Sequence, residues 1–265
     1  MKLTNYLLIV GLIATMVLSS CSKDEDDSSS TTTPTGPPKI EVNGKTSGNI
    51  VEIPQNAMNA NNGQFSGVAQ NINQVGMFLD MLNNIPANAT TTRDANAAVT
   101  YYWTQTQQGS TIEIWYTVEE SGANYEIEYD IAVSDLTDPE YSFPRTTIMS
   151  GWVAQNGANG HLVLNYAALI DGSTEFNYTY DWDTNAAGDF HVTADFNIGD
   201  NGLFADMFYE ATVYAAGNGE IDYSYTDGTN EILYHYDWNA DWTIVNWSYS
   251  INGEIEQSMS GQWTA

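Results

Sequence analysis

From about residue 99 onward, apolar and polar side chains alternate with a period of two. In Glu175-Phe176-Asn177-Tyr178-Thr179-Tyr180-Asp181-Trp182 every even position is aromatic and every odd one polar. Ile221, Tyr223 and Tyr225 alternate in the same way with Glu220, Asp222 and Ser224, and Ile232, Tyr234, Tyr236 and Trp238 alternate with Leu233, His235 and Asp237. Such alternation turns one face of an antiparallel sheet toward a core and leaves the other wet. Gly, Asn and Asp links such as Asp171-Gly172, Gly217-Asn218-Gly219, Asp227-Gly228 and Asn252-Gly253 have the composition of hairpin turns. The pattern predicts an all-β fold, an antiparallel meander of about 11 or 12 strands.

One earlier stretch has a different period. Val68, Ile72, Val75, Leu79 and Leu82 recur at steps of four and three, with Phe78 and Ile85 widening the stripe, and Pro86 follows. The spacing predicts one amphipathic helix over about 66–85, stopped by the proline and buried along its apolar stripe. Ile40-Glu41-Val42 and Ile50-Val51-Glu52-Ile53, flanking Asn43-Gly44, read as a small hairpin or as edge strands.

The strands also repeat imperfectly. The run from Asn159-Gly160 to Trp182 parallels the run from Asn218-Gly219 to Trp238, and Gln108-Gly109 with Tyr125 to Asp130 is a fainter third copy. Three units of about four strands fit, too few blades to ring a propeller's channel. A continuous meander must cover its apolar face by curling into a curved sheet or closing into a barrel. A barrel of this strand count leaves a space that side chains alone do not fill, and the helix is the natural plug or lid.

The first 38 residues carry an address. Lys2, the apolar run Tyr6 to Val17 and then Leu18-Ser19-Ser20-Cys21 form the zones of a signal peptide covering residues 1–20, too short to span a bilayer. Leu-Ser-Ser-Cys resembles the lipobox of bacterial lipoproteins. That resemblance implies cleavage before Cys21 and lipid on its thiol, with three acyl chains giving stable anchorage. Cys21 is the only cysteine, so an internal disulfide and thiol catalysis elsewhere are both excluded. Ser22-Lys23-Asp24-Glu25-Asp26-Asp27 resembles the acidic export signal of surface-exposed lipoproteins, and Ser22 in place of aspartate favours the outer membrane. Residues 28–38, rich in Ser, Thr and Pro, bury nothing and form a tether. From Ser22 to Pro38 it could reach about 50 to 60 Å. The folded part is then a single domain, 39–265.

Charge narrows the partners. After loss of Lys2, 34 acidic residues stand against 5 basic ones, a net charge of −29. Nucleic acid is excluded as a partner, and anionic headgroups are disfavoured, so membrane contact runs through the lipid. Seventeen tyrosines and eight tryptophans, nearly all beyond residue 100, supply the apolar face. Tyr178, Tyr180, Trp182, Tyr223, Tyr225, Tyr234, Tyr236 and Trp238 are the candidate ligand-lining residues, with core packing as the competing role.

No nucleophile elbow, zinc-protease motif or phosphate loop is present. His161, His191 and His235 stand singly in strands and read as solvated residues. Glu126, Glu128 and Asp130 share one strand face and faintly resemble the carboxylate strand of laminarinase-like glycosidases, although their register departs from that motif. Asp181, Asp183 and Asn185, and equivalently Asp237, Asn239 and Asp241, have an oxygen spacing that calcium uses, without the glycine and closing glutamate of an EF-hand loop. Calcium is the only cofactor the residues suggest.

These features predict a surface-tethered, non-catalytic lipoprotein that holds an apolar or amphipathic ligand in an aromatic-lined concavity. The architecture is similar to that of lipoprotein-sorting lipid carriers, an open barrel with a helical lid. The alternative is a glycan-binding or adhesive module whose exposed rings stack on sugars, with a glycosidase behind it.

Overall fold

A computed structural model describes residues 37–52, 63–94, 98–107, 110–135, 142–165, 177–197, 205–241 and 243–262. Cys21, the signal segment, most of the tether, and the repeat and turn residues Gln108-Gly109 and Asp171 to Phe176 lie outside these.

The fold is all-β, with thirteen antiparallel strands in strict sequence order forming one curved sheet. The early strands are β1 (Thr90–Arg93), β2 (Val99–Gln107), β3 (Ser110–Ser121), β4 (Asn124–Asp135), β5 (Phe143–Ala154) and β6 (Asn159–Asn165). There follow β7 (Asn177–Thr184), β8 (Phe190–Asn197), β9 (Ala205–Val213), β10 (Gly219–Thr226), β11 (Glu231–Trp238), β12 (Ile244–Ile251) and β13 (Glu254–Gln262). Of the twelve from β2 onward most carry the period-two signal, but β5 buries the adjacent Ile148 and Met149, and Glu254 to Ser258 of β13 are all exposed. The thirteenth, β1, is Thr-Thr-Thr-Arg with all four side chains exposed, so it shows no alternation to read.

The sheet does not close. β1 pairs only with β2 and β13 only with β12, so the barrel alternative gives way to an open sheet with two edges. Register shifts between Tyr129 and Asp130 and between Ile131 and Val133, and others in β10 and β12, mark the bulges that bend such a sheet.

Two helices, α1 (Gly63–Ile72) and α2 (Gln74–Asn83), replace the single helix expected over 66–85. The stripe is buried as expected, with Val68, Ile72, Val75, Phe78, Leu79 and Leu82 almost inaccessible. The interruption falls at Asn73, whose side-chain amide is committed elsewhere. Its Oδ1 accepts from the Val51 N–H at 2.8 Å and its Nδ2 donates to the Val51 carbonyl at 3.0 Å. Asn83 treats Ile40 in the same manner, accepting from its N–H and donating to its carbonyl at 2.8 Å each, with a further bond to the Thr46 carbonyl.

Two asparagines therefore supply the backbone partners that a neighbouring strand would give. The segment 39–52 needs them, because it buries Ile40, Val42, Ile50 and Val51 yet forms only a single bridge, Val42 to Lys45, in place of the expected hairpin. Asn43 and Gly44, with φ of 51° and 66°, make its tight turn. Gly48 crosses α2 at Gly76 so closely that a Cβ on Gly76 would overlap the Gly48 carbonyl.

The helices and this segment lie on the apolar face. Phe78 packs on Tyr180, and the Tyr180 hydroxyl donates to the Asn71 carbonyl at 3.0 Å. One core runs from Tyr101 and Trp103 on β2 through Ile112, Ile114 and Tyr116, Tyr129, Leu162, Tyr180 and Phe190 to Ile221 and Tyr236. The β6–β7 and β10–β11 copies of the repeat are four strands apart, as expected, but the fainter copy on β3–β4 is only three from β6–β7. The three-unit scheme holds for its last two members.

Candidate functional site

At the C-terminal end of the apolar face, tyrosines from four consecutive strands stand directly opposite one another. Tyr209 on β9 faces Tyr223 on β10, Tyr223 faces Tyr234 on β11, and Tyr234 faces Tyr249 on β12. The first two pairs are stacked, with centroids 4.6 and 5.9 Å apart and planes within 16°. The third is tilted at 4.9 Å. Tyr225 stacks on Tyr223 along the same strand at 5.4 Å. Three strand spacings make this row roughly 14 Å long.

Burial grades along the row. Tyr209 is 2% exposed under α1, while Tyr223, Tyr225, Tyr234 and Tyr249 are half-buried, as is Trp247 beside them. The hydroxyls are tied together. Asn71 Nδ2 donates to the Tyr209 hydroxyl at 2.8 Å, and hydroxyl bonds also join Tyr223 to Tyr209 and Tyr225 to Tyr234. Burial raises the phenol pKa of Tyr209, Tyr223, Tyr225 and Tyr249 above the ordinary value, and it pushes that of Tyr236 up to about 12. The row is apolar in its rings and hydrogen-bonding at its rim.

The eight residues expected to line a concavity divide into two groups. Tyr178, Tyr180, Trp182, Tyr236 and Trp238 are core residues, each no more than 4% exposed. Tyr223, Tyr225 and Tyr234 remain at a half-open surface. Tyr249 and Trp247 belong with them, and the buried Tyr209 joins them to the core. The alternation of Val245, Trp247, Tyr249 and Ile251 in β12 was the signal that marks Trp247 and Tyr249.

The polar face carries the ionisable residues. All three histidines lie there, each against a carboxylate on a neighbouring strand. His161 Nδ1 is 2.7 Å from Asp181, His191 Nε2 is 2.7 Å from Glu210, and His235 Nδ1 is 2.7 Å from Asp222. Hydrogen bonding to Asp222, more than its burial opposes, raises the His235 pKa.

The calcium candidates do not converge. Asp181 and Asp183 are drawn to different histidines, His161 and His191, and Asn185 Oδ1 accepts from the Ala187 and Asp189 N–H groups within its turn. Asp237 accepts from Asn246 Nδ2, and Asn239 Nδ2 reaches both Asp241 and Thr243. Among the described residues no three His, Cys, Asp or Glu side chains gather around a common point for a metal.

The carboxylates likened to a glycosidase also separate. Glu126 and Glu128 are exposed, whereas Asp130 is 4% exposed and held by Arg145, whose Nε lies 2.6 Å from its Oδ2 and whose guanidinium covers Trp115 at 4.7 Å. At the far end of the molecule Pro37, Pro38, Pro86 and Tyr101 border an open groove of about 340 Å³, remote from the tyrosine row. Among the described residues no helix is long and apolar enough to cross a membrane.

No protein-family model, no curated protein and no solved structure matches the chain.

Proposed function

We propose that the chain is a lipoprotein, anchored to the outer membrane through Cys21 and facing outward, that binds an amphipathic ligand along its half-open tyrosine row without catalysing a reaction on it. The observation that carries this reading is the grading of one continuous row from a buried Tyr209 to half-exposed Tyr223, Tyr234 and Tyr249. A row meant only as core has no need to extend past the helices that cover it. Its rings offer apolar edges and its rim offers hydroxyls, which suits a molecule with an apolar body and hydrogen-bonding groups.

Sugar stacking fits the row less well. It needs free ring faces, and in Tyr209, Tyr223 and Tyr234 the faces are taken up by one another. The lipobox resemblance and the acidic run after Cys21 support the address, and the net charge of −29 supports attachment by lipid in place of a basic surface.

Native mass spectrometry of the full chain purified from membranes, before and after organic extraction, tests the reading. The expected spectrum shows the mass of the acylated Cys21 polypeptide plus an extractable adduct, and the adduct is lost in Tyr234→Ala. Acylated chain with no adduct would reject the ligand, and absence of acyl mass would reject the anchor.

A further inference from the structure

The wet face of the last five strands carries an ordered apolar line. Among the described residues four large apolar side chains are exposed by more than a third, namely Met77, Phe208 and Leu233 at 36% and Ile255 at 69%. Three of these fall in one row across the sheet. Phe208 on β9 is opposite Ser224 on β10, Ser224 is opposite Leu233 on β11, Leu233 is opposite Ser250 on β12, and Ser250 is opposite Ile255 on β13. Large and small residues therefore alternate, with a large one roughly every 9.6 Å and a serine between, Ser224 half-buried and Ser250 buried, over a line of about 19 Å.

Acid flanks this line on both sides, interrupted by His235 on β11. Asp195 stands opposite Phe208 on β8, Glu210 and Asp222 are the next polar-face residues along β9 and β10, and Glu231 is the next along β11. Exposed Glu254 and Glu256 flank Ile255. His191 and His235 hold Glu210 and Asp222 at 2.7 Å each, and beyond these histidines residues 146–265 set seventeen Asp and Glu against no Lys or Arg.

We propose that this row is a docking surface for a cationic amphipathic helix. Two helical turns rise about 10.8 Å, so apolar residues seven apart on such a helix keep step with Phe208, Leu233 and Ile255. About 13 residues of helix span the line, and lysine or arginine beside the apolar stripe meets the carboxylate border. An anionic membrane and a second copy of this chain both bring like charge to the same border, which disfavours them. The site lies on the opposite face from the tyrosine row and does not depend on it.

The test is fluorescence anisotropy of the full chain with a labelled 14-residue peptide of leucine and lysine whose leucines share one helical face. Saturable binding is expected, with a decrease of at least tenfold in the double variant Phe208→Ser and Leu233→Ser. Both side chains are already solvent-exposed, and an unchanged melting temperature verifies the fold. Glu231→Gln with Glu256→Gln should weaken binding two- to fivefold and flatten its salt dependence. A peptide of the same composition with scrambled leucines should bind at least tenfold more weakly. Equal binding of the scrambled peptide, or of the serine double variant, would reduce the interaction to net charge and overturn the proposal. So would equal binding of a peptide with glutamate in place of lysine.

Discussion

Trp238 covers Gly219 across the β10–β11 ladder, so that a Cβ at Gly219 would overlap the edge of the indole and come 2.6 Å from the Thr212 carbonyl oxygen. Trp182 covers Gly160 in the same manner across β6 and β7. The repeat seen in the sequence is therefore a packing device: a strand glycine, which ordinarily weakens a sheet, opens the floor on which an indole rests.

Gly219→Ala and Gly160→Ala should each destabilise the protein, by roughly 2 to 3 kcal/mol through overpacking, because the ring has core on its other side. Urea unfolding would measure the loss. Alanine tolerated at both positions would mean the tryptophans are free to move.

Asn83→Ala should release the 39–52 segment from α2. It removes bonds to the Ile40 N–H, the Ile40 carbonyl and the Thr46 carbonyl, leaving Ile40 buried with its polar backbone unmet. A loss of about 2 to 4 kcal/mol is expected. Limited proteolysis within 39–52 should speed up well before the sheet unfolds.

Alkali should unfold the protein through its tyrosines. Burial raises the phenol pKa of Tyr116, Tyr129, Tyr209 and Tyr223 above 10, so above that pH the unfolded chain sheds protons that the folded chain retains. Stability then falls as pH rises past about 10. Absorbance titration at about 295 nm should show exposed tyrosines ionising first and the buried set ionising only with the loss of the fold.

His235 works in the opposite pH range. Asp222 raises its folded pKa by hydrogen bonding, reinforced by the charges of Asp222, Asp237 and Glu220. The stabilisation is fully present below the unfolded value of 6.5 and is lost as pH rises through the folded value. His235→Gln should lower the urea midpoint at pH 5.5 and have progressively less effect toward pH 9. An offset independent of pH would show the effect to be packing alone.

Much of this was legible in the chain. Period-two patterning in strands such as β3, β6 and β7 and the apolar stripe of the helices follow from burial on one face, which the residues of the element report together. What escaped depends on distant partners. At the helix break, Asn73 gives its side-chain amide to Val51, 22 residues away, a pairing that no local pattern marks. The division of the eight aromatics into core and surface depends on where the helices lie: Tyr236 and Tyr234 share one strand and one face, yet only the first is fully buried. The Phe208, Leu233 and Ile255 row was equally hidden, since each residue occupies a polar register in a different strand and only the pairing aligns them.

The most direct test of the proposed binding at the tyrosine row is its chemical accessibility with and without an added amphiphile. Nitration by tetranitromethane, read by peptide mass mapping, should modify Tyr234 and Tyr249 readily in the extracted protein while sparing Tyr180 and Tyr116. In protein carrying its amphiphile the same two residues should be protected at least tenfold. Equal nitration of Tyr234 and Tyr249 in the loaded and extracted protein would contradict binding at the row.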